Sequence, residues 1–527
     1  MMKNNIYRNK KIAIIGASTG QIPICKKAKS LGLETYCFAW EKGAVCKDIV
    51  DHFVPISIFE EDKIADYCVC KGINGVVSNA SERTAEAVAA IAEKAHLNGT
   101  KYDVLISLHD KHYVRFLTNN IEGLAVPRYY KWEGDDKGIY PCVVKPCVGR
   151  AKLGVTFVQD SHEFQKAIEY ASINENADIL VEEYILGKEL SVESISYHGE
   201  HFVLQITDKD SSSAPHFVEL GHHQPANIPS EIKEKIYNVI PKLLSNIGYT
   251  DGASHIEVKY NGYELYLIEA NLRGGGDEIS NRLVELSTGV DYLKCMIDVA
   301  LDVFEKPIPT RDPAYAGIYF LCKQTENFLP FFDYAKKQVW CVEEWIKNRD
   351  LQESHSNYER DGFLIYKSNH KIDPSCRIAL TYLKNDKSSY EKILDFLRKR
   401  EENKDKVINV DWVNKILDRA NVICLMNGKD IVAWFVLYCN DKIFNSAYCA
   451  GLYVLEQYRK HGFSKVLLAE AIEKSKKAGM KRLNLYCKSD NLVAFALYQS
   501  FGFKILKKSR LPKYGNDYYY LLSKNLD

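Results

Sequence analysis

One seven-residue stretch, Ser368-Asn-His-Lys-Ile-Asp-Pro374, constrains this chain more than any other, because the charge changes sign across it. Residues 1–375 carry 42 Lys and Arg against 53 Asp and Glu, a balance of −11. Residues 376–527 carry 28 against 16, a balance of +12, so the overall charge of +1 conceals a split. At 527 residues the chain is also too long for one hydrophobic core. The expectation is at least two folded units with opposite fields and different ligands.

Several function classes fall away early. Hydrophobic residues are 46% and charged residues 26%, a globular balance rather than a disordered or fibrous one. The 15 cysteines are scattered, with no paired C-x-x-C spacing, which argues against structural zinc. The start, through Lys11, is polar and basic, and no apolar run approaches the ~18 residues of a membrane helix. A cytoplasmic protein with free thiols is expected, with no membrane partner. The basic half lacks an arginine-rich run, so nucleic acid is not an expected partner either.

Lys11-Ile-Ala-Ile-Ile-Gly16, then Gly20 and a helical pattern to Leu31, reads as strand, turn and helix. Only Gly16 and Gly20 are present, so the dinucleotide fingerprint is missing. Further alternation to about residue 97 predicts a doubly wound sheet. From Val126 strands dominate, with helices near 161–172, 231–247 and 280–301, and short strands from Tyr315 to Tyr366 predict a β-rich cap. His222-His223-Gln-Pro225 reads as a loop. Beyond Pro374 a second α/β pattern runs to the end.

Four features of the first part carry chemistry. Asp110-Lys111 opens a helix with Arg115 one turn on. Val143-Val-Lys145-Pro-Cys-Val-Gly149-Arg-Ala-Lys152-Leu-Gly154 sets a strand lysine before a glycine-interrupted tip, the fixed charge and backbone donors that a triphosphate lid needs. Glu182-Glu183-Tyr184-Ile185 followed by Glu189 offers carboxylates that could accept from an adenine amine and ribose hydroxyls. Glu257, Glu269 and Asn271 are hard oxygen donors suited to Mg²⁺ bridging phosphates, and Arg273 suits a carboxylate or acyl phosphate held bidentately. A strict two-residue turn at Asn261-Gly262 would put Glu257 opposite Tyr266, on the other face from Glu269. A shared metal site therefore requires an extra loop residue or a bulge.

In this combination residues ~10–370 resemble the ATP-grasp ligases. The run Arg273-Gly-Gly-Gly-Asp277 with Leu283-Val-Glu-Leu-Ser-Thr-Gly289 is most like the L-amino-acid ligase branch. The resemblance implies a doubly wound domain (1–125), a two-lobed ATP cleft with its lid (126–311) and the cap (312–374). It implies Lys111, Lys145 and Gly149 at the phosphates, and Glu182, Glu183 and Ile185 around the adenine. Glu189 falls at the ribose, Glu257, Glu269 and Asn271 at Mg²⁺ (or Mn²⁺), and Arg273 at the reacting carboxylate. His223 is a further nucleotide-facing candidate. Lys152 stands where the lid often has a small residue. Activity is expected to be ATP-dependent joining of a carboxylate to an amine, through an acyl phosphate, on small molecules such as amino acids.

Leu452-Tyr-Val454 leads into Arg459-Lys-His-Gly462-Phe-Ser464, a strand-to-helix turn able to meet a pyrophosphate. With Asn491 and Tyr498-Gln-Ser-Phe-Gly502, it resembles the acetyl-CoA site of the GNAT N-acetyltransferases over 375–527. That resemblance implies Val454, Arg459, Gly462, Ser464 and Asn491 at acetyl-CoA and Tyr498 as general acid. Ser464 departs from the family's preferred Gly or Ala. A bifunctional ligase–acetyltransferase is expected. The competing reading is a nucleotide-binding regulatory module controlling an acetyltransferase.

Overall fold

In the computed structural model the described residues are 6–79, 81–148, 154–172, 178–212, 217–309, 313–336, 338–354, 356–374, 378–400, 408–459, 462–510 and 517–526. The chain divides into two compact units, Met1–Ile372 and Asp373–Asp527.

The first unit opens with β1 (Lys11–Ile15), β2 (Glu34–Phe38), β3 (His52–Val54) and β4 (Gly75–Val77). They form a parallel sheet in the order β3-β2-β1-β4. Continuous apolar runs such as Ile12–Ile15 are what a parallel sheet covered on both faces requires. Ile12 and Ile14 pack on one face and Ala13 and Ile15 on the other.

A small antiparallel sheet follows, of β5 (Tyr129–Lys131), β6 (Cys142–Pro146), β7 (Thr156–Val158) and β8 (Ile179–Glu183), ordered β5-β8-β6-β7. The expected tip at Gly149 and Lys152 lies outside the described residues. The large sheet has eight strands: β9 (Lys188–Tyr197), β10 (Glu200–Ser211), β11 (Glu219–Gln224), β12 (Gly252–Tyr260), β13 (Leu265–Asn271), β14 (Tyr315–Leu321), β15 (Cys341–Ile346) and β16 (Gly362–Ser368). Their order is β13-β12-β9-β10-β11-β14-β16-β15. One expectation is corrected here. The histidine segment is not a loop but β11, paired to β10 and β14. The strands expected as the cap, β14 to β16, continue the same sheet.

Alternation along these strands sets the chemistry. Leu190, Val192, Ile206, Ile256 and Val258 turn toward the helix Ser230–Asn246 and pack on its Ile236, Val239, Ile240 and Leu243. The intervening Glu189, Ser191, Glu193, His255 and Glu257 therefore share the opposite face. The helix expected over 280–301 is interrupted, because Gly289 adopts φ +75° at the end of Val284–Thr288 and Asp291 caps a new helix, Tyr292–Ala300.

The second unit is a seven-stranded sheet of β17 (Ile378–Tyr382), β18 (Asn421–Asn427), β19 (Asp430–Asp441), β20 (Ser446–Val454), β21 (Arg482–Lys488), β22 (Lys504–Arg510) and β23 (Tyr518–Asn525). The order is β17-β18-β19-β20-β21-β23-β22. Helices Lys387–Lys399 and Val410–Arg419 cover one face, and Phe463–Lys477 and Leu492–Ser500 the other. Both cores lie wholly within this unit. A fragment of residues 373–527 is therefore expected to fold alone and melt cooperatively by circular dichroism; a featureless melt would contradict it.

Candidate active site

The smaller sheet of the first unit carries a buried charge group. Lys145 on β6 and Glu182 on β8 stand diagonally on one face of paired strands, and the Lys145 ammonium donates to Glu182 Oε1. Arg115 Nε donates to Glu182 Oε2 at 3.1 Å, and all three side chains are buried. Arg115 comes from the helix Lys111–Thr118, whose N-terminus Asp110 caps by accepting from the His112 and Tyr113 amides. Burial pushes the Lys145 ammonium below its ordinary value; Glu182 offsets this in part, while Arg115 and Lys111 add to it. Burial alone would raise the Glu182 carboxyl, but Arg115 and Lys145 outweigh it and hold it low. Both Glu182 oxygens thus accept from cations. Glu183 pairs with Arg128 at 2.9 Å and its amide donates to the Arg128 carbonyl at 2.8 Å. Ile185 is buried beyond the strand end.

On the polar face of the large sheet the decisive feature is a bulge. Tyr260 pairs with Leu265 across a four-residue loop in which Gly262 takes φ +101°, and Val258 pairs with Leu267. Glu257 then pairs with Glu269, leaving Ile268 as the extra residue. The two-residue turn considered from sequence is therefore absent, and the bulge places Glu257 directly across from Glu269. Asn271 Nδ2 lies 3.4 Å from Glu269 Oε2. The carbonyl of Ile268 accepts from Arg115 at 2.8 Å, tying the bulge to the Lys145–Glu182 pair. The sequence held a signal for this: inward residues run Leu265, Leu267, then Ala270, Leu272, a step of three among steps of two.

Lys209, which sequence reasoning overlooked, sits at the centre of this face. Its ammonium lies 2.8 Å from Glu257, 3.0 Å from Glu219 and 3.4 Å from Glu189. Burial works against that charge, yet Glu257, Glu219 and Glu189 hold the pKa well above the lysine norm. Burial likewise opposes ionisation of Glu257, but Lys209 and then His255 hold it well below the carboxylate range. His255 Nδ1 lies 2.6 Å from the fully buried Glu193, whose other oxygen accepts from the Gly275 amide at 3.3 Å. A Cβ on Gly275 would stand 2.7 Å from His255 Nδ1, so the triglycine run lies flush on this network.

The two adjacent histidines diverge, as neighbours on a strand must. His222 shares the face of Lys209, 3.1 Å from Glu219 and 3.5 Å from Asp277. His223, the residue singled out from sequence, is turned to the other face, bound to Asp210 at 3.0 Å and the Tyr366 hydroxyl at 3.1 Å. Glu219, His222 and Asp277 converge closely enough to hold a metal ion. Arg360 grips Asp277 with both arms and Lys209 neutralises Glu219, so their charge is already compensated.

A cavity of about 400 Å³ opens beside the bulge. His109, Lys111, Arg115, Glu269, Asn271 and Arg273 are among its lining residues. The Lys111 amide donates to the Cys147 carbonyl at 2.9 Å, bringing the end of β6 to this wall. Arg273 lies 3.7 Å from Glu82, and its buried Nε has no hydrogen-bond partner among the described residues. The structure thus gathers Lys111, Glu269, Asn271 and Arg273 around one space.

In the second unit β20 and β21 pair in parallel only from Ser446↔Arg482 to Cys449↔Leu485 and then part. A bulge at Ala450, between Val436↔Gly451 and Leu437↔Cys449, bends β20 at the same point. Beyond Val454, Arg459 folds back, donating to the Val454 carbonyl at 3.2 Å and pairing with Glu456 at 2.8 Å. Gly462, at φ +77°, begins the helix Phe463–Lys477, with Ser464 in its first turn. Asn491 caps the helix Leu492–Ser500, accepting from the Ala494 amide at 3.1 Å. Tyr498 is buried against Phe503, and burial, followed by Cys449 and Cys487, raises its hydroxyl pKa.

Residues 139–281 match the ATP-grasp domain family and residues 389–503 the acetyltransferase (GNAT) family. The chain joins an ATP-grasp domain to a GNAT domain. Among curated relatives it is 27% identical to the alanine–anticapsin ligase of Bacillus subtilis over 206 residues, 34% of this chain and 43% of that one. It is 27% identical to human (Homo sapiens) carnosine synthase 1 over 188 residues, 33% of this chain and 22% of that one. The matches thus span less than half the length of these relatives. The L-amino acid ligase structure from Bacillus licheniformis superposes with a TM-score of 0.58 at 23% identity, covering 69% of this chain and 94% of that one. A biotin carboxylase structure from Campylobacter jejuni superposes at 0.52 with 16% identity, covering 77% and 95%. These superpositions establish the ATP-grasp fold of the first unit. No helix is long and apolar enough to cross a membrane among the described residues.

Removing Glu182 strands two buried cations. Glu182→Ala is expected to destabilise the first unit by ~3–5 kcal/mol, read as a lowered urea midpoint. An unchanged midpoint would show that the triad contributes nothing to folding.

Proposed function

We propose that this chain is a bifunctional enzyme: an ATP- and Mg²⁺-dependent carboxylate–amine ligase acting on amino acids, joined to an acetyl-CoA-dependent N-acetyltransferase. The observation that carries the ligase reading is the bulge at Ile268, which sets Glu257 across from Glu269 at the wall holding Asn271, Arg273 and Lys111. The donor chemistry fits the ion: two carboxylates and an amide oxygen are hard ligands for Mg²⁺ or Mn²⁺. Bound there, the ion would neutralise charge on phosphate oxygens.

The chain's own residues supply the rest. Lys111 and Lys145, with the lid around Gly149, hold the phosphates, and Glu182 fixes Lys145 in place. Glu183 and Ile185 bound the adenine, and Glu189 meets the ribose. Arg273 anchors the reacting carboxylate. One carboxylate oxygen attacks the γ-phosphorus and ADP departs; an amine then attacks the acyl carbon and inorganic phosphate leaves. Positioning and charge neutralisation dominate such chemistry.

The acetyltransferase reading rests on the parting of β20 and β21 and on the helix start at Gly462. Val454, Arg459, Gly462, Ser464 and Asn491 hold acetyl-CoA, and Tyr498 returns a proton to the leaving thiolate. The positive charge of this half complements the CoA phosphates. Free thiols and small-molecule substrates support a cytoplasmic location.

The deciding experiment screens amino-acid pairs for ADP release, with mass spectrometry of the products. No pair-dependent release would overturn the ligase reading. Glu269→Gln is expected to cut that release by ~10²-fold or more through loss of a metal ligand, with acetyl-CoA affinity unchanged. Undiminished turnover at saturating Mg²⁺ would remove Glu269 from the site. Tyr498→Phe is expected to slow acetyl transfer by ~10²–10⁴-fold without weakening CoA binding in calorimetry. An unaltered rate would remove the general acid.

A further inference from the structure

The helix Glu82–Lys94 presents two carboxylates one turn apart to the cavity, and each faces a different group. Glu82 approaches Arg273 at 3.7 Å. Glu86 lies 2.9 Å from His109 Nε2 and is itself held by Arg83 at 2.9 Å. The Glu86 side chain is 5% exposed, that of His109 26%. Residues four apart on a helix stand about 5–6 Å from each other at Cβ. His109 therefore sits about a helical turn along the cavity wall from the arginine that anchors the carboxylate.

His109 is also rigidly placed. It precedes Asp110, the cap of the helix Lys111–Thr118, and its own amide donates to the Ile106 carbonyl at 3.1 Å. A carboxylate at Nε2 favours the tautomer with the proton on that nitrogen, leaving Nδ1 with a lone pair. Among the described residues Nδ1 has no hydrogen-bond partner. A buried carboxylate beside an imidazole that lines a cavity is the arrangement of a general base.

We infer that His109, oriented by Glu86, is the base that deprotonates the incoming amine in the second half of the ligase reaction. This rests on the ligase reading above. An amino acid enters as an ammonium ion, which cannot attack. His109 Nδ1 takes one of its protons, and the nitrogen lone pair forms the bond to the acyl carbon. The carbon–oxygen bond to phosphate breaks with its electron pair, and the second nitrogen proton departs on inorganic phosphate. The proton on His109 passes to solvent. His109 is thus a catalytic residue and Glu86 a positioning residue.

Hydroxylamine separates this step from the first, because it is already unprotonated at neutral pH and needs no base to capture an acyl phosphate. With an equimolar mixture of the twenty amino acids, ATP and Mg²⁺, the full-length protein is assayed for dipeptides by mass spectrometry, and in parallel for hydroxamates with hydroxylamine added. His109→Gly is expected to lower dipeptide formation by ~10²-fold, to leave hydroxamate formation unchanged, and to regain dipeptide formation with free imidazole. Glu86→Gln is expected to lower dipeptide formation less, again sparing hydroxamate. Parallel loss of both products in a variant of unchanged melting temperature, or no loss of either, would overturn the assignment. Absence of both dipeptide and hydroxamate in the unsubstituted protein would instead overturn the ligase reading, and this base with it.

Discussion

The Lys209 ammonium holds the polar face of the large sheet together. It reaches Glu189 on β9, Glu219 on β11 and Glu257 on β12 from its own place on β10, so one cation spans four adjacent strands. Without it, three carboxylates would face one another in a buried space, and mutual repulsion with desolvation would force protonation or parting of the strands. The surrounding side chains are arranged to keep that balance. His255 leans on Glu193, Glu193 receives the triglycine backbone, and Arg360 satisfies Asp277 at the far edge. Against the helix Ser230–Asn246 the opposite face packs Leu190, Val192, Ile206, Ile256 and Val258. Over this stretch the sheet sets hydrophobic burial under the helix on one side and an ionic network on the other.

A second network reaches the large sheet through a backbone atom. Arg115 spans Glu182 in the small sheet and the Ile268 carbonyl in the large one. The carboxylate beside Lys145 and the bulge that sets Glu269 are therefore positioned by the same guanidinium. Under the proposed reading, Lys145 at the phosphates and the metal ligands come from different sheets but are tied through this guanidinium.

Much of this was legible in the residues. Four motifs in chain order, with their spacing, single out Lys145, Glu182, Glu257, Glu269 and Arg273, and Glu269 and Arg273 do line one cavity. The hairpin parity even demanded an irregularity between Glu257 and Glu269. What escaped was governed by distant partners. β11 reads as a loop because His222-His223-Gln-Pro has no apolar alternation, and only β10 and β14 make it a strand. β22, Lys-Ile-Leu-Lys-Lys-Ser-Arg, is an exposed edge strand whose lysines hide its period. Lys209 stood between two aspartates as an ordinary polar strand end, since its three partners lie on other strands. His223 was preferred to His222 because adjacency in sequence does not reveal which face each occupies.

The bulge at Ile268 makes the β12–β13 hairpin behave like a reading frame. With four residues in the loop, the extra residue at 268 restores the alignment of Glu257 with Glu269. A five-residue loop without a bulge would restore the same alignment. That alternative would turn Tyr266 and Ile268 inward in place of Leu265 and Leu267, so the bulge is what keeps both leucines in the core while Glu269 and Asn271 stay on the polar face. Deleting Ile268 alone would leave Val258 opposite Leu267 and Glu257 opposite Glu269, and a longer tip would enlarge only the loop, so neither carboxylate depends on the length of the exposed turn.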